Sequence, residues 1–368
     1  MKELNILYFC SFPPQPCGIA CFAKEMAKAI SKADPKIKWK VIAVVPPNQK
    51  FKYPREVIMK VQKENLKDYQ KAGEFFNKSP FNLAIIHHEF NIYGGKNGEY
   101  LIHFLKTIKK PAIGIMHSLP NPQGKLDKKK KELITLLKKL SLFFKKMVVM
   151  CEIGKKRLQK ICKNSSKIKI IPHGSISFPK ISCFEAKKRL GLEKNIVILI
   201  FGFITPHKGY EEALKAFSEI HPLYPQAKLI FLGGPHPLHP AKNYLKEFKL
   251  FIKKLNLEEN VVFVKKLFPL KELINYLKIP DLILLPYQTK EQVSSGTLTN
   301  AITTGNCVIS TPFIYAKEML REKRRFFIEF ENVNSICSVI SYLIQNPQEI
   351  EKTRKKPGNL EEISLGKR

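Results

Sequence analysis

Four short stretches of this 368-residue chain hold the side chains best suited to chemistry. The first is His87-His88-Glu89-Phe90-Asn91-Ile92-Tyr93-Gly94-Gly95, and the second is His117-Ser118. Each follows an apolar run that reads as a buried strand, so each comes out at the carboxyl edge of a parallel sheet. That is the edge where α/β proteins bind ligands. His88, Glu89 and His117 are placed as polar handles for a hydroxylated ligand, whereas His87 reads as a structural group on the strand end. No third ligand is fixed by spacing, so a metal site is not indicated. The third stretch, Gly202 to Gly209, puts Lys208 at a helix start, where a cation is unfavourable unless an anion sits there too. The fourth is Ser294-Ser295-Gly296-Thr297, which opens the helical stripe Leu298, Ala301, Ile302 after the strand Leu282–Leu285. A serine cap and a glycine at a helix N-terminus suit a phosphate, although an ordinary serine-capped turn reads the same way.

The elements that must position these residues follow from periodicity. Apolar runs predict strands at 4–10, 41–45, 57–61, 83–86, 112–116, 147–150 and 168–171. A second series is expected at 196–201, 228–232, 261–264, 282–285, 308–310 and 326–328. Helical stripes lie between most of them, which argues two parallel sheets covered on both faces. Periodicity lapses after Ser175, so the expected units are residues 1–178 and 179–350, with 351–368 a short charged tail. The fold class is α/β, two Rossmann-like doubly wound domains facing across a cleft. The full Gly-x-Gly-x-x-Gly and Walker spacings are absent, which excludes a classical dinucleotide site and a P-loop.

Charge sets the partner classes. The chain has 64 basic and 31 acidic residues, net +33, a surface that attracts polyanions. Only 8 of the basic residues are arginine, and arginine is the preferred fork for bases, so nucleic acid is not the expected partner. Lys128–Lys131, Lys138-Lys139 and Lys145-Lys146 flank the stripe Leu133, Leu136, Leu137, Leu140. That helix could lie on an anionic membrane or pack on the core with a solvated lysine face. The 8 cysteines are scattered, no run reaches the length of a membrane span, and the first strand begins by Leu4. The expected location is cytoplasmic, with peripheral attachment to the inner face of the membrane as an option.

In order and spacing these residues resemble a retaining family-4 glycosyltransferase (glycosyl transferase group 1) of the GT-B fold, from about Leu4 to Pro347. Pro13-Pro14-Gln15-Pro16-Cys17-Gly18-Ile19-Ala20-Cys21-Phe22 is similar to the family's glycine loop. His88-Glu89-Phe90-Asn91-Ile92-Tyr93-Gly94-Gly95 resembles a subgroup's His-Glu-Phe-Gly-Ile-Tyr-Gly-Gly. Ile171-Pro172-His173-Gly174 resembles the Ile-Pro-Asn-Gly before the linker. The resemblance implies that His117 lies near the transferred sugar, and that Gly202 and Lys208 grip the donor diphosphate. Phe203 stands where the family has an arginine. The family's two glutamates fall on Gln292, beside Glu291, and on Asn300.

The resemblance implies transfer of a hexosyl unit, mannosyl or glucosyl, from a nucleoside-diphosphate sugar to an acceptor hydroxyl, with no cofactor and no metal. His117, Lys208, Gln292 and Glu291 are the catalytic candidates. Gly18, Gly202, Phe203, Lys208, Gly234, Ser295, Gly296, Thr297 and Asn300 are the donor-binding set. His88, Glu89, Tyr93 and Gly94 form the acceptor side, and the acceptor is a glycan, lipid or small molecule. A sugar phosphorylase or epimerase using the same cleft, or a polyanion-binding protein without activity, are the alternatives. The family's long terminal helix is expected to be truncated or replaced after Asn346-Pro347.

Overall fold

Strands in which nearly every residue is apolar form where helices cover both faces of a sheet. The chain contains two such sets, in the units Met1–His173 and Gly174–Arg368. The structure is a computed structural model, and it describes residues 3–123, 126–174, 182–234, 242–264, 268, 270–320 and 326–354. Residues 175–181 of the expected linker, the Pro235-His236 turn and residues 355–368 lie outside the described residues.

The first unit runs β1 (Asn5–Cys10), α1 (Gly18–Ala33), β2 (Lys38–Val45), β3 (Val57–Gln62), α2 (Leu66–Lys78) and β4 (Leu83–His88). It continues with a short turn of 3-10 helix at Lys96–Gly98, then α3 (Leu101–Thr107), β5 (Ala112–Met116) and α4 (Lys128–Ser141). It closes with β6 (Lys146–Val149), α5 (Glu152–Ile161) and β7 (Ile168–Ile170). The parallel sheet has the order β3-β2-β1-β4-β5-β6-β7. The direction of winding therefore reverses between β1 and β4, which pair from Ile6 with Leu83 to Phe9 with Ile86. The core is aromatic around β1: the Phe9 ring lies 4.4 Å from Phe104 and 5.5 Å from Tyr93.

The second unit begins with α6 (Cys183–Lys188) and β8 (Ile196–Phe201). It runs on through α7 (Tyr210–Ile220), β9 (Ala227–Leu232), α8 (Lys242–Lys254), β10 (Val261–Val264), α9 (Leu270–Tyr276) and β11 (Leu282–Leu285). It ends with α10 (Gly296–Thr303), β12 (Cys307–Ser310), α11 (Ile314–Met319), β13 (Phe326–Phe327), α12 (Val333–Gln345) and α13 (Pro347–Arg354). Its order is β10-β9-β8-β11-β12-β13, so winding reverses between β8 and β11. In open α/β sheets the ligand crevice lies at the carboxyl ends of the two strands where the order reverses. Here those ends carry Ser11–Cys17 and Glu89–Tyr100 in one unit, and Gly202–Gly209 and Pro286–Ser295 in the other.

Two expectations change. Residues 351–354 are the end of α13 and not a tail. Arg354 donates to the Pro280 carbonyl at 2.8 Å and faces Asp281 at 3.5 Å, and Thr353 is buried. The unit boundary falls after His173 rather than at 178. Of the two readings left open for α4, the structure supports the core-packed one, with Ile134, Leu136, Leu137 and Leu140 buried. No helix among the described residues is long and apolar enough to cross one.

Candidate functional site

In the first unit the switch point is built from buried side chains. His87 and His88 end β4, and the backbone N–H of His117 donates to the His88 carbonyl at 3.0 Å, carrying the β4–β5 ladder one residue past the strands. This brings the His87 Nδ1 to 3.1 Å from the His117 Nε2, a distance at which the two rings share one proton. Phe22, from the first turns of α1, lies edge-on to both rings at 5.6 and 5.5 Å and packs against His173 at 4.4 Å. Burial favours the neutral imidazole. It lowers the pKa of His87 to about 3 and of His88 to about 4, and holds His117 well below the usual histidine range. Neutral imidazoles offer one donor and one acceptor each, which suits hydroxyl groups. Among the described residues the Nε2 of His87 and both ring nitrogens of His88 are buried without a hydrogen-bond partner.

Glu89 sits just past them. Its carboxylate accepts a short hydrogen bond from the Ser118 hydroxyl and one of 3.0 Å from the Phe90 N–H, linking the loops after β4 and β5. Burial pushes its pKa above the ordinary carboxyl value, and these two donors work in the opposite direction. Gly18 opens α1 with clear space where a side chain would begin.

In the second unit the switch point is built from backbone. Gly202 has φ +119, Gly209 φ +70 and Gly233 φ +155, conformations that glycine adopts without the steric cost of a Cβ. They also permit close approach. A Cβ on Gly233 would stand 1.9 Å from the Gly202 carbonyl oxygen, and one on Gly209 would stand 1.9 Å from that of Pro286. The loops are laced where they touch: Ile204 N–H to Gly234 carbonyl at 2.9 Å, and Gln288 N–H to His207 carbonyl at 3.0 Å. Beside them, Ser295 caps α10 by accepting from the Leu298 N–H at 3.1 Å. Leu298, Thr299, Ala301 and Ile302 turn inward, which leaves Gly296, Thr297 and Asn300 on the accessible side. The first amides of a helix have no intrahelical acceptor, so the N–H groups of Gly296 and Thr297 face an anion-seeking position. The Lys208 ammonium lies 3.5 Å from the centre of the buried Tyr287 ring, a cation–π contact that holds it at the end of β11.

Residues 184–359, nearly the whole of this second unit, match the family described as glycosyl transferases group 1. The second unit is a glycosyl transferases group 1 domain. Over the full chain the architecture is that of GT-B proteins. The Anabaena protein HepE, solved with UDP and glucose, is similar at 15% identity and TM-score 0.74, covering 98% of this chain and 95% of its own. Sucrose-phosphate synthase from Thermosynechococcus elongatus is similar at 16% identity and TM-score 0.74, covering 98% and 96%. A glycosyltransferase from Rickettsia africae shows 16% identity and TM-score 0.69, covering 97% and 93%. At these identities the likeness concerns the fold. No curated protein matches the chain by sequence.

Within the group 1 domain the structure brings Gly202, Phe203, Lys208, Gly234, Ser295, Gly296, Thr297 and Asn300 to one sheet edge, with changes in three roles. Lys208 is not in the helix start: α7 begins at Tyr210 with Gly209 as its cap, and the cation is turned onto Tyr287. Gln292 donates its side-chain amide to the Ser294 carbonyl at 2.7 Å, so it shapes its own loop, and Glu291 beside it is exposed. Gly234 is buried, and its carbonyl serves the β8 loop. In the first unit, two acceptor-side candidates become structural. The Tyr93 hydroxyl is fully buried and donates between the carbonyls of Phe9 and His87 at 2.8 and 3.0 Å. At Gly94 a Cβ would fall 1.7 Å from the Lys63 carbonyl oxygen. Ser118, Gly233, Tyr287 and Phe22 lie in stretches that stand out in the sequence, but the tether to Glu89, the loop contact, the lysine platform and the histidine platform they form depend on distant residues and were not assigned there. Among the described residues no three His, Cys, Asp or Glu side chains gather as a metal site.

Proposed function

We propose that this chain transfers a glucosyl or mannosyl unit from a nucleoside-diphosphate sugar to an acceptor hydroxyl, retaining the anomeric configuration and using no divalent cation. The observation that carries this reading is the accessible start of α10, flanked by Lys208 and the glycine-laced loops, inside a group 1 domain. A glycosyl transfer from such a donor must stabilise a departing diphosphate. Fixed amides of Gly296 and Thr297 together with the Lys208 ammonium supply positive potential where that charge develops, and they need little reorganisation. Asn300, on the same side of α10, can meet the ribose hydroxyls with its amide. In the first unit, neutral His117 would hold a sugar hydroxyl while Glu89, tethered by Ser118, orients the acceptor. HepE, solved with UDP-glucose, supports a uridine donor as the first to try.

The test is donor turnover in the absence of acceptor. UDP-glucose and GDP-mannose are each incubated with the protein, with and without EDTA, and diphosphate release and the anomer of the freed sugar are followed by NMR. Slow release that EDTA leaves unchanged, with the freed sugar first appearing as the α anomer, supports the proposal. Absence of both binding and release for every nucleotide sugar in a thermal-shift panel would remove it.

A further inference from the structure

We propose that the acceptor is an acidic oligosaccharide, recognised in a lysine-lined groove of the first unit between the turn after β4 and the helix α4. This rests on the transferase reading and names the substrate class of its acceptor side. The net charge is not spread evenly: residues 1–173 have 35 basic and 12 acidic side chains, net +23, against 29 and 19, net +10, for the remainder. Part of that excess lines a groove of about 480 Å³ formed by Lys96, Lys128, Lys131 and Lys139 with Glu99 and Glu132. Lys96 pairs with Glu132 at 2.8 Å, while Lys128, Lys131 and Lys139 make no ion pair among the described residues. Glu99 accepts from the Lys96 N–H at 3.3 Å, and the hydrogen bond from the Lys96 ammonium holds the Glu132 carboxyl below its ordinary range. The groove thus offers three lysines for acid groups and two carboxyl groups for hydroxyls.

Topology connects the groove to the site. The 3-10 turn at Lys96–Gly98 follows β4, and α4 follows β5, so both groove walls spring from the sheet edge that bears Glu89 and Ser118. A saccharide is the occupant that the lining favours. Mixed donors and acceptors in a concave site match a chain of hydroxyls with interspersed acid groups. A bilayer is met by a basic face that also inserts apolar residues, and four of the five apolar residues of α4, Ile134, Leu136, Leu137 and Leu140, are buried in the fold. Single-stranded nucleic acid needs aromatic platforms, and the groove contains neither an aromatic residue nor an arginine.

The experiment measures binding of a galacturonate hexasaccharide by calorimetry. A neutral maltohexaose, phosphatidylglycerol vesicles and a single-stranded oligonucleotide are run beside it. Two double variants are compared: Lys128→Glu with Lys131→Glu in the groove, and Lys67→Glu with Lys71→Glu on the exposed side of α2. Both keep the same net charge. The acidic hexasaccharide is expected to bind, with about tenfold loss in the groove variant and less than about twofold in the α2 variant. Equal losses in both variants would overturn the proposal, as would binding no tighter than maltohexaose, or tighter retention of vesicles or oligonucleotide. UDP-glucose thermal shift is recorded on the same samples. A donor shift without hexasaccharide binding overturns the groove alone, whereas absence of any donor shift points to failure of the transferase reading.

Discussion

The two switch points solve the same topological problem with different materials. In the first unit the crevice is lined by side chains that are buried and committed to one another: His87 to His117, Glu89 to Ser118, Tyr93 to two carbonyls. In the second it is lined by backbone, through three glycines of positive φ and the amides that open α10. A backbone site tolerates changes of side chain around it. This explains how Phe203, Gln292 and Asn300 can stand where the family resemblance expects charged groups without loss of loop geometry. A side-chain site has no such freedom, since replacing one buried partner strands the other.

The largest effect should come from breaking the backbone site. Gly233→Ala forces a Cβ to 1.9 Å from the Gly202 carbonyl at φ +155. The expected loss is about 2–4 kcal/mol of stability in the second unit, together with loss of donor binding. Gly18→Ala, where nothing lies within 4 Å, is the matched control and should change stability by less than about 0.5 kcal/mol. Urea titration of the two variants measures both. Equal midpoints for Gly233→Ala and the unaltered protein would mean that the two loops are not held by this contact.

Next is the one side chain on which the backbone site depends. Lys208→Ala should lower donor turnover by about 10²-fold, the scale of removing one preorganised charge at a developing anion. Tyr287→Leu should lower it less, because it frees the ammonium from its platform without removing it. An unchanged steady-state rate for Lys208→Ala would take this residue out of the chemistry.

The contrast between the units also governs what the sequence could reveal. Every strand was legible, because a strand covered on both faces is a continuous apolar run, and β8 at Ile196–Phe201 is the plainest example. α13 was not, since Pro347–Arg354 buries only Ile350 and Thr353 and is fixed by Arg354 reaching Pro280, a link across the chain that no local pattern carries. The same reason separates motif from role at the site. Tyr93 and Gly94 stand out in the sequence, yet what they answer to is Phe9 and Lys63, distant residues brought near only by folding. That Gly296 and Asn300 share one face of α10 was legible because the relation is local, one helical turn apart.

The buried histidines give the comparison a pH signature. The folded-state pKa of His87 is about 3 and of His88 about 4, both below the ordinary 6.5 that the unfolded chain would have. The unfolded state therefore binds protons more readily. The contribution of each ring is complete above about pH 6.5 and declines as pH falls toward its folded value. At pH 5 each ring should cost about 2 kcal/mol of stability. His88→Leu should remove about 2 kcal/mol of the total dependence, to which His87 and His117 also contribute, when the first unit's unfolding is followed between pH 7 and 5. An unchanged slope would show that these rings are solvated in solution.

The smallest effect is also the finest test of how the backbone site holds a donor. Asn300 lies half-buried on the accessible side of α10, and among the described residues its side chain makes no hydrogen bond. Its carbonyl oxygen and amide group are therefore available to a ligand, one as acceptor and one as donor. Asn300→Ala should weaken donor binding by about 1–2 kcal/mol, the range for losing a buried partner. The helix itself should gain slightly, since alanine is the better helix former. Affinity and stability then move in opposite directions, which separates a ligand contact from a structural one. Asn300→Glu should keep or improve affinity, because a carboxylate accepts from both ribose hydroxyls through charge-assisted bonds. Calorimetry with the best donor from the thermal-shift panel measures both variants. If Asn300→Ala binds as tightly as the unaltered protein, the donor is held by the α10 amides and Lys208 without help from this side chain, and the exchange of a glutamate for an amide carries no consequence for donor affinity.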